Sequence, residues 1–239
     1  MKVFLAGQSS YTELNWSECK YNLESFYYFK QEQIAWLDRW DDFLLDSGAF
    51  TFMNGGKRGN LDEYLERYAD FIVKHGIKKY FELDVDSVTG YSKVKEYRRK
   101  LERLTNLQCI PVWHKSRGVD EYKRHCAEYG YIAIGGLASK EIKPSEYGRV
   151  STLIDYAHAN GTKVHGLGFT SMDGLRRCRF DTVDSTTWNR GRFGDVYYFT
   201  GSTMRVYNPK GMRLQDGKAA NAFCLQEWIK FQRYAETKL

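Results

Sequence analysis

Prolines number only three, no two cysteines stand at Cys-x-x-Cys spacing, and no apolar run nears the ~18 residues of a membrane-spanning helix. Each absence narrows the reading. With hydrophobic residues at 42%, charged residues at 28% and no low-complexity tract, a disordered or repetitive chain is excluded. Cys19, Cys109, Cys126, Cys178 and Cys224 are odd in number and far apart, which argues for reduced, buried thiols rather than a disulfide framework or a zinc ribbon. The apolar part of Met1-Lys2-Val3-Phe4-Leu5-Ala6-Gly7 is too short for a signal peptide, so a cytoplasmic location and no membrane partner are expected. No Walker sequence occurs, and Gly166-Leu167-Gly168 lacks the third glycine of a dinucleotide fingerprint, so no cofactor is expected.

What is present is an alternation of short apolar runs with helix-like stretches, the pattern of parallel βα units. The strand-like runs are Val3 to Ala6, Phe43 to Leu45, Tyr80 to Val85, Cys109 to Trp113, Tyr131 to Ile134, Lys163 to Leu167 and Phe180 to Val183. Between them Leu61, Tyr64, Leu65, Tyr68 and Ile72 recur at helical spacing, with Asn60 as N-cap and Gly76 beyond the end. A further helix is bracketed by Ser145 and Gly161, and a last one runs from about Ala219 to Glu236. At 239 residues the chain is close to the ~250 of one αβ barrel. The expected fold is α/β, a single (β/α)8 TIM-like barrel domain over residues 1–239. Residues 187–218 stay open between an eighth strand with an elaboration and a hairpin over the mouth, since Val196 to Phe199 and Met204 to Tyr207 flank Gly201.

Three of these runs end in aspartate, at Asp46, Asp84 and Asp184. In a parallel barrel strand ends converge on one mouth, so three scattered carboxylates become one acidic site. A lone Asp46 before Ser47-Gly48 reads most simply as a turn cap; three such positions shift the balance toward chemistry. Asp84 and Asp86 stand two apart and share a face. His114 ends the fourth strand, but too few ligands converge for a metal site, and none is expected. Net charge is +6, and Arg176, Arg177, Arg179, Arg190 and Arg192 gather around Asp184, a basic rim suited to a polyanion beside an acidic pocket.

Taken together and in order, Asp46-Ser-Gly-Ala-Phe50, Leu83-Asp84, Gly135-Gly-Leu-Ala138 with Glu141, Val164-His-Gly-Leu-Gly168, and Asp184 followed by Thr187-Trp-Asn-Arg190-Gly-Arg192 resemble the guanine transglycosylases. These include the queuine tRNA-ribosyltransferases and relatives, many viral, that place 7-deazaguanines in DNA. The resemblance covers roughly residues 43 to 194. It implies Asp184 as nucleophile and Asp46 as general acid/base, with Asp84 reading guanine, Phe50 stacking on it, and His114, Gly135, Gly136 and Leu137 completing the base pocket. Arg190 and Arg192 would hold the nucleic-acid backbone.

Carboxylates suit that chemistry, because replacing a base at C1′ without breaking the backbone needs a nucleophile that also leaves well. The tRNA enzymes carry a zinc site of three cysteines and a histidine, whereas residues 195–239 hold only Cys224 and no histidine. That loss favours a DNA-modifying enzyme, in a host cytoplasm if viral, with DNA and a 7-deazaguanine base as partners and room for an accessory protein. A tRNA enzyme without the zinc site and a carboxylate-dependent glycoside hydrolase barrel are the alternatives.

Overall fold

The computed structural model describes residues 1–49, 51, 60–208 and 216–239. Parallel strands β1 (Lys2–Ala6), β2 (Tyr21–Ser25), β3 (Asp42–Asp46), β4 (Val112–Trp113), β5 (Tyr131–Ile134), β6 (Lys163–Gly166) and β7 (Thr182–Ser185) form one curled sheet. Its order is β3-β2-β1-β7-β6-β5-β4.

This corrects the expectation of a closed eight-stranded barrel. At the place of the missing strand, Tyr80 makes one parallel bridge to Leu45 on one edge, and Phe81 makes one to Ile110 beside the other. The physical reason lies in Glu82. A continuing parallel ladder would bond the Val112 N–H to the Glu82 carbonyl, but the Glu82 carboxylate takes that N–H instead, at 2.8 Å. The chain then turns, with Val85 N donating to Leu83 O at 3.0 Å ahead of a single helical turn, Asp86–Thr89.

Helices α1 (Leu61–Lys74), α2 (Tyr91–Thr105), α3 (Gly118–Glu128), α4 (Tyr147–Ala159), α5 (Met172–Arg177) and α6 (Gly217–Lys238) lie between and after the strands. Asn60 caps α1 as its position predicts, its side chain accepting from Asp62 N. The concave face of the sheet is filled by Phe4, Ala6, Tyr21, Leu23, Leu44, Phe81, Ile110, Val112 and Ala133. Larger apolar clusters on the other face pack the strands against helices. Asp46, Asp84, His114 and Asp184 stand at or just beyond the C-terminal ends of their strand segments. All five cysteines are buried and free.

Strand β2 has no counterpart in the sequence reading. Its outward residues Asn22 and Glu24 are polar yet buried, so Tyr-Asn-Leu-Glu-Ser lacks the continuous apolar run of a doubly covered strand. Hydrogen bonds from Asn22 Nδ2 to Leu5 O at 2.9 Å, and to Glu24 Oε1 from Ser9 N at 3.3 Å, make that burial tolerable. The described residues of 187–218 form neither an eighth sheet strand nor a barrel wall. Strands β8 (Val196–Phe199) and β9 (Met204–Tyr207) pair antiparallel as a separate hairpin, and Tyr197 and Phe199 rest on Trp228 and Phe231 of α6. No helix of the described residues is long and apolar enough to cross a membrane.

Candidate active site

Asp46 ends β3, where Gly48 turns the chain at φ +80° and returns its N–H to Asp46 Oδ2 at 2.9 Å. A side chain at 48 would collide with Tyr27 Cβ at 2.6 Å, so the turn requires glycine twice over. Burial pushes the Asp46 carboxyl up to about 6, and the charges of Asp184 and Asp84 push the same way, against hydrogen bonds from Gly48 and Ser25. Asp46 therefore feels the charges of the other two aspartates.

Asp84 is held differently. Its Oδ2 lies 2.6 Å from His114 Nε2, and its Oδ1 is bonded by Arg117 Nη2. Burial alone would raise its pKa, but the His114 hydrogen bond and the Arg117 charge outweigh it and hold the carboxyl below its ordinary value. Arg117 is 3% exposed in its side chain and also reaches Asp86 Oδ2 at 2.8 Å and Glu82 Oε1 at 3.4 Å. Its guanidinium covers the Tyr91 ring at 4.3 Å. Behind it, Arg98 Nε bonds Glu82 Oε2 at 2.6 Å. The acceptor at the mouth is thus backed by two buried arginines.

Asp184 sits on β7, in register with Phe4 of β1. Its Oδ1 accepts from Gly168 N at 2.7 Å and lies 3.2 Å from His165 Nε2. Gly168 can aim that N–H because it sits at φ +61°, with a hypothetical Cβ only 2.8 Å from Ala138 Cβ. His165 is fully buried, with Nδ1 2.7 Å from Thr182 Oγ1.

The remaining predicted pocket residues fall around these carboxylates in part. Gly135 lies under His114, where a Cβ would meet the ring Cε1 at 2.5 Å, so the bare backbone makes room for the imidazole. Burial lowers the His114 pKa, but hydrogen bonding and charge from Asp84 raise it further, and the net shift is upward. Gly136 turns at φ +80° beside Glu141, whose Oε2 is 3.5 Å from His114 Nδ1. The Gly136 carbonyl accepts from Ile142 N at 3.0 Å, and Leu137 is buried in the outer core. Phe50 lies outside the described residues.

Arg190 and Arg192 occupy the 3-10 segment Thr187–Phe193 that follows β7. Buried Gly191 presses this segment onto α6, a Cβ there meeting the Ala220 carbonyl carbon at 2.8 Å. Arg190 is half exposed and paired with Asp195 at 2.6 Å. Arg192 makes no ion pair among the described residues and lies over Phe193, 4.6 Å from its ring centre. A cavity of about 440 Å³ lies elsewhere, against Trp113, Val119, Ile142, Val150 and Leu153, and takes in none of the mouth carboxylates. Among the described residues no group of three or more His, Cys, Asp or Glu side chains is placed to hold a metal ion.

From sequence, Arg117 and Glu82 have no proposed role, and His165 stands only inside the Val164-His-Gly-Leu-Gly168 motif, without a role of its own. Glu82 carried a usable signal, a charge inside an apolar strand run, which buries only with a partner. Arg117 resembled an ordinary surface arginine, since its partners lie more than thirty residues back. No protein-family model and no curated protein matches this chain.

Proposed function

We propose that this protein is a transglycosylase that exchanges guanine in DNA for a 7-deazaguanine base through a covalent glycosyl-aspartate. The observation that carries the reading is that three carboxylates at one mouth have three different environments. Asp46 has a pKa near 6, Asp84 is kept ionised by Arg117 and His114, and Asp184 is held through one oxygen. Titratable groups pushed apart in this way mark acid, base and acceptor roles.

In the forward step an Asp184 oxygen forms a bond to C1′ as the C1′–N9 bond breaks. The bonding pair leaves with guanine, and Asp46 supplies the proton that neutralises it. In the return step Asp46 takes a proton from the entering base, whose nitrogen attacks C1′ and releases the Asp184 carboxylate. Two inversions retain the anomeric configuration. One glycosidic bond is exchanged for another, so no nucleotide cofactor is needed. Ionised Asp84 accepts the N1–H and exocyclic N–H donors of guanine; adenine offers no such pair and would leave the buried acceptor unmatched.

Flipping the target nucleotide from a duplex costs a few kcal/mol, which backbone contacts from exposed Arg192 and Arg190 help to offset. The test incubates the protein with a panel of labelled 7-deazaguanines and, separately, DNA and tRNA. Label should enter DNA, and Asp184→Asn should abolish incorporation while leaving nucleic-acid binding intact. Label in tRNA alone, or glycan hydrolysis without base exchange, would overturn the reading.

A further inference from the structure

We propose that His165 is a positioning residue, and that a buried relay from Tyr131 through Thr182 to His165 sets which oxygen of Asp184 attacks. The proposal rests on the reading of Asp184 as nucleophile. The relay crosses three neighbouring strands of the sheet: Tyr131 on β5, His165 on β6, Thr182 and Asp184 on β7. His165 and Thr182 are direct register partners, so their side chains meet on the concave face.

The proton count fixes the direction. An ionised Asp184 brings no proton to the His165 Nε2 contact at 3.2 Å, so Nε2 must carry the hydrogen. In a neutral ring Nδ1 is then an acceptor, and the hydrogen bond of 2.7 Å requires Thr182 to donate its single hydroxyl proton. Thr182 Oγ1 can therefore only accept from the Tyr131 hydroxyl, to which it is bonded. Tyr131 is able to donate, since burial raises its phenol above the ordinary value and keeps it protonated at neutral pH. Every hydrogen in the chain has one place.

The consequence falls on Asp184. Its Oδ1 takes donors from His165 and Gly168, while no described group donates to Oδ2. Oδ2 is thus the oxygen that bonds C1′, and Oδ1 becomes the ester carbonyl, still accepting from both donors. When the entering base displaces the carboxylate, the same donors meet the returning negative charge, as preorganised donors do at other developing oxyanions.

Thr182→Val keeps the volume and removes the donor, leaving Nδ1 buried without its hydrogen bond and the ring free to turn away from Asp184 Oδ1. Exchange of labelled guanine into a guanine-containing DNA oligonucleotide should lose ~10–100-fold in kcat, as for other positioning partners, with KM for guanine unchanged. Thr182→Ser should recover most of the loss. Nitrogen-15 NMR should report the Nε2–H tautomer of His165 in both proteins, with the Nδ1 resonance moved in Thr182→Val by loss of the hydrogen bond it accepts. If Thr182→Val does not fold, Tyr131→Phe is read by the same two measurements, with a smaller loss of the same kind. An unchanged kcat, or an unmoved Nδ1 resonance, overturns the relay while inactivity of Asp184→Asn leaves the nucleophile standing. Exchange persisting in Asp184→Asn would instead remove the reading beneath it.

Discussion

Replacing Arg117 by methionine isolates what holds the guanine-reading carboxylate in place. The guanidinium faces Glu82, Asp84 and Asp86, whose side chains are 0%, 11% and 24% exposed. Removing one partner of a buried ion pair costs about 3–5 kcal/mol, because the other charge stays buried and uncompensated. Here the lower end applies. Glu82 keeps Arg98, Asp84 keeps His114, and Asp86 is wet enough to be screened. A loss of about 3 kcal/mol at pH 7.5 corresponds to a fall of roughly 6–12 °C in Tm for a chain of this size.

The pH dependence is the sharper part. Asp84 has a folded pKa below its ordinary 3.8, so in the parent protein it contributes stability above that value and loses it as pH falls through the folded one. Without Arg117 only His114 opposes burial, so the carboxyl shifts upward from its parent value and takes a proton more readily as pH falls. Protonated His114 opposes that uptake but supplies a countercharge in its place, so the penalty shrinks by either route. Urea unfolding followed by circular dichroism should therefore show the Arg117→Met penalty at pH 7.5 shrinking by half or more at pH 4.5. A penalty under ~1 kcal/mol at pH 7.5, or one equal at both pH values, would refute the account of Asp84 as an ion held by Arg117.

Asp46→Asn should raise stability by about 1–3 kcal/mol at pH 7.5 and not at pH 4, because the folded carboxyl titrates near 6 and the unfolded one near 3.8, so its ionisation costs stability as pH rises across that window; thermal scans at the two pH values decide it. The same variant should lose exchange activity, and the parent pH–rate profile should bend near 6. Gly135→Ala should drive the His114 ring from its place, costing about 1–3 kcal/mol and weakening guanine binding measured by calorimetry, since the new Cβ would lie 2.5 Å from Cε1. Gln232→Leu should destabilise by at least ~3 kcal/mol in urea, because its side chain bonds Val3 O at 2.7 Å, Tyr21 O at 3.0 Å and Lys20 N at 2.8 Å from inside the protein.

How far the sequence shows this protein depends on whether a feature is local. Tyr131 to Ile134 reads as a strand because both faces are covered and the run is apolar. The α1 boundaries read correctly because Asn60 and Gly76 act within one turn of chain. Strand β2 did not read, since its outward Asn22 and Glu24 are buried by partners in β1 and the Gln8–Ser10 turn. The aspartates were legible as strand ends. Arg117 and His165 were not, because what makes them matter is a carboxylate supplied by a distant part of the chain.

One strand shows how the fold separates stability from chemistry. Asp42 and Asp46 open and close β3, four residues apart and so on the same face of the sheet. At the N-terminal end burial would raise the Asp42 pKa, but Lys2 at 2.7 Å and Lys79 at 2.6 Å outweigh it and hold the carboxyl low. At the C-terminal end no cation reaches Asp46 among the described residues, the other aspartates face it, and the shift is upward. Residue type, strand and face are the same, and burial raises both, so the sign turns on whether cations answer that cost. Cations stand at the N-terminal ends of β1 and of the Tyr80 segment, and carboxylates at the opposite end, which makes Asp42 an anchor and leaves Asp46 able to exchange a proton near neutral pH.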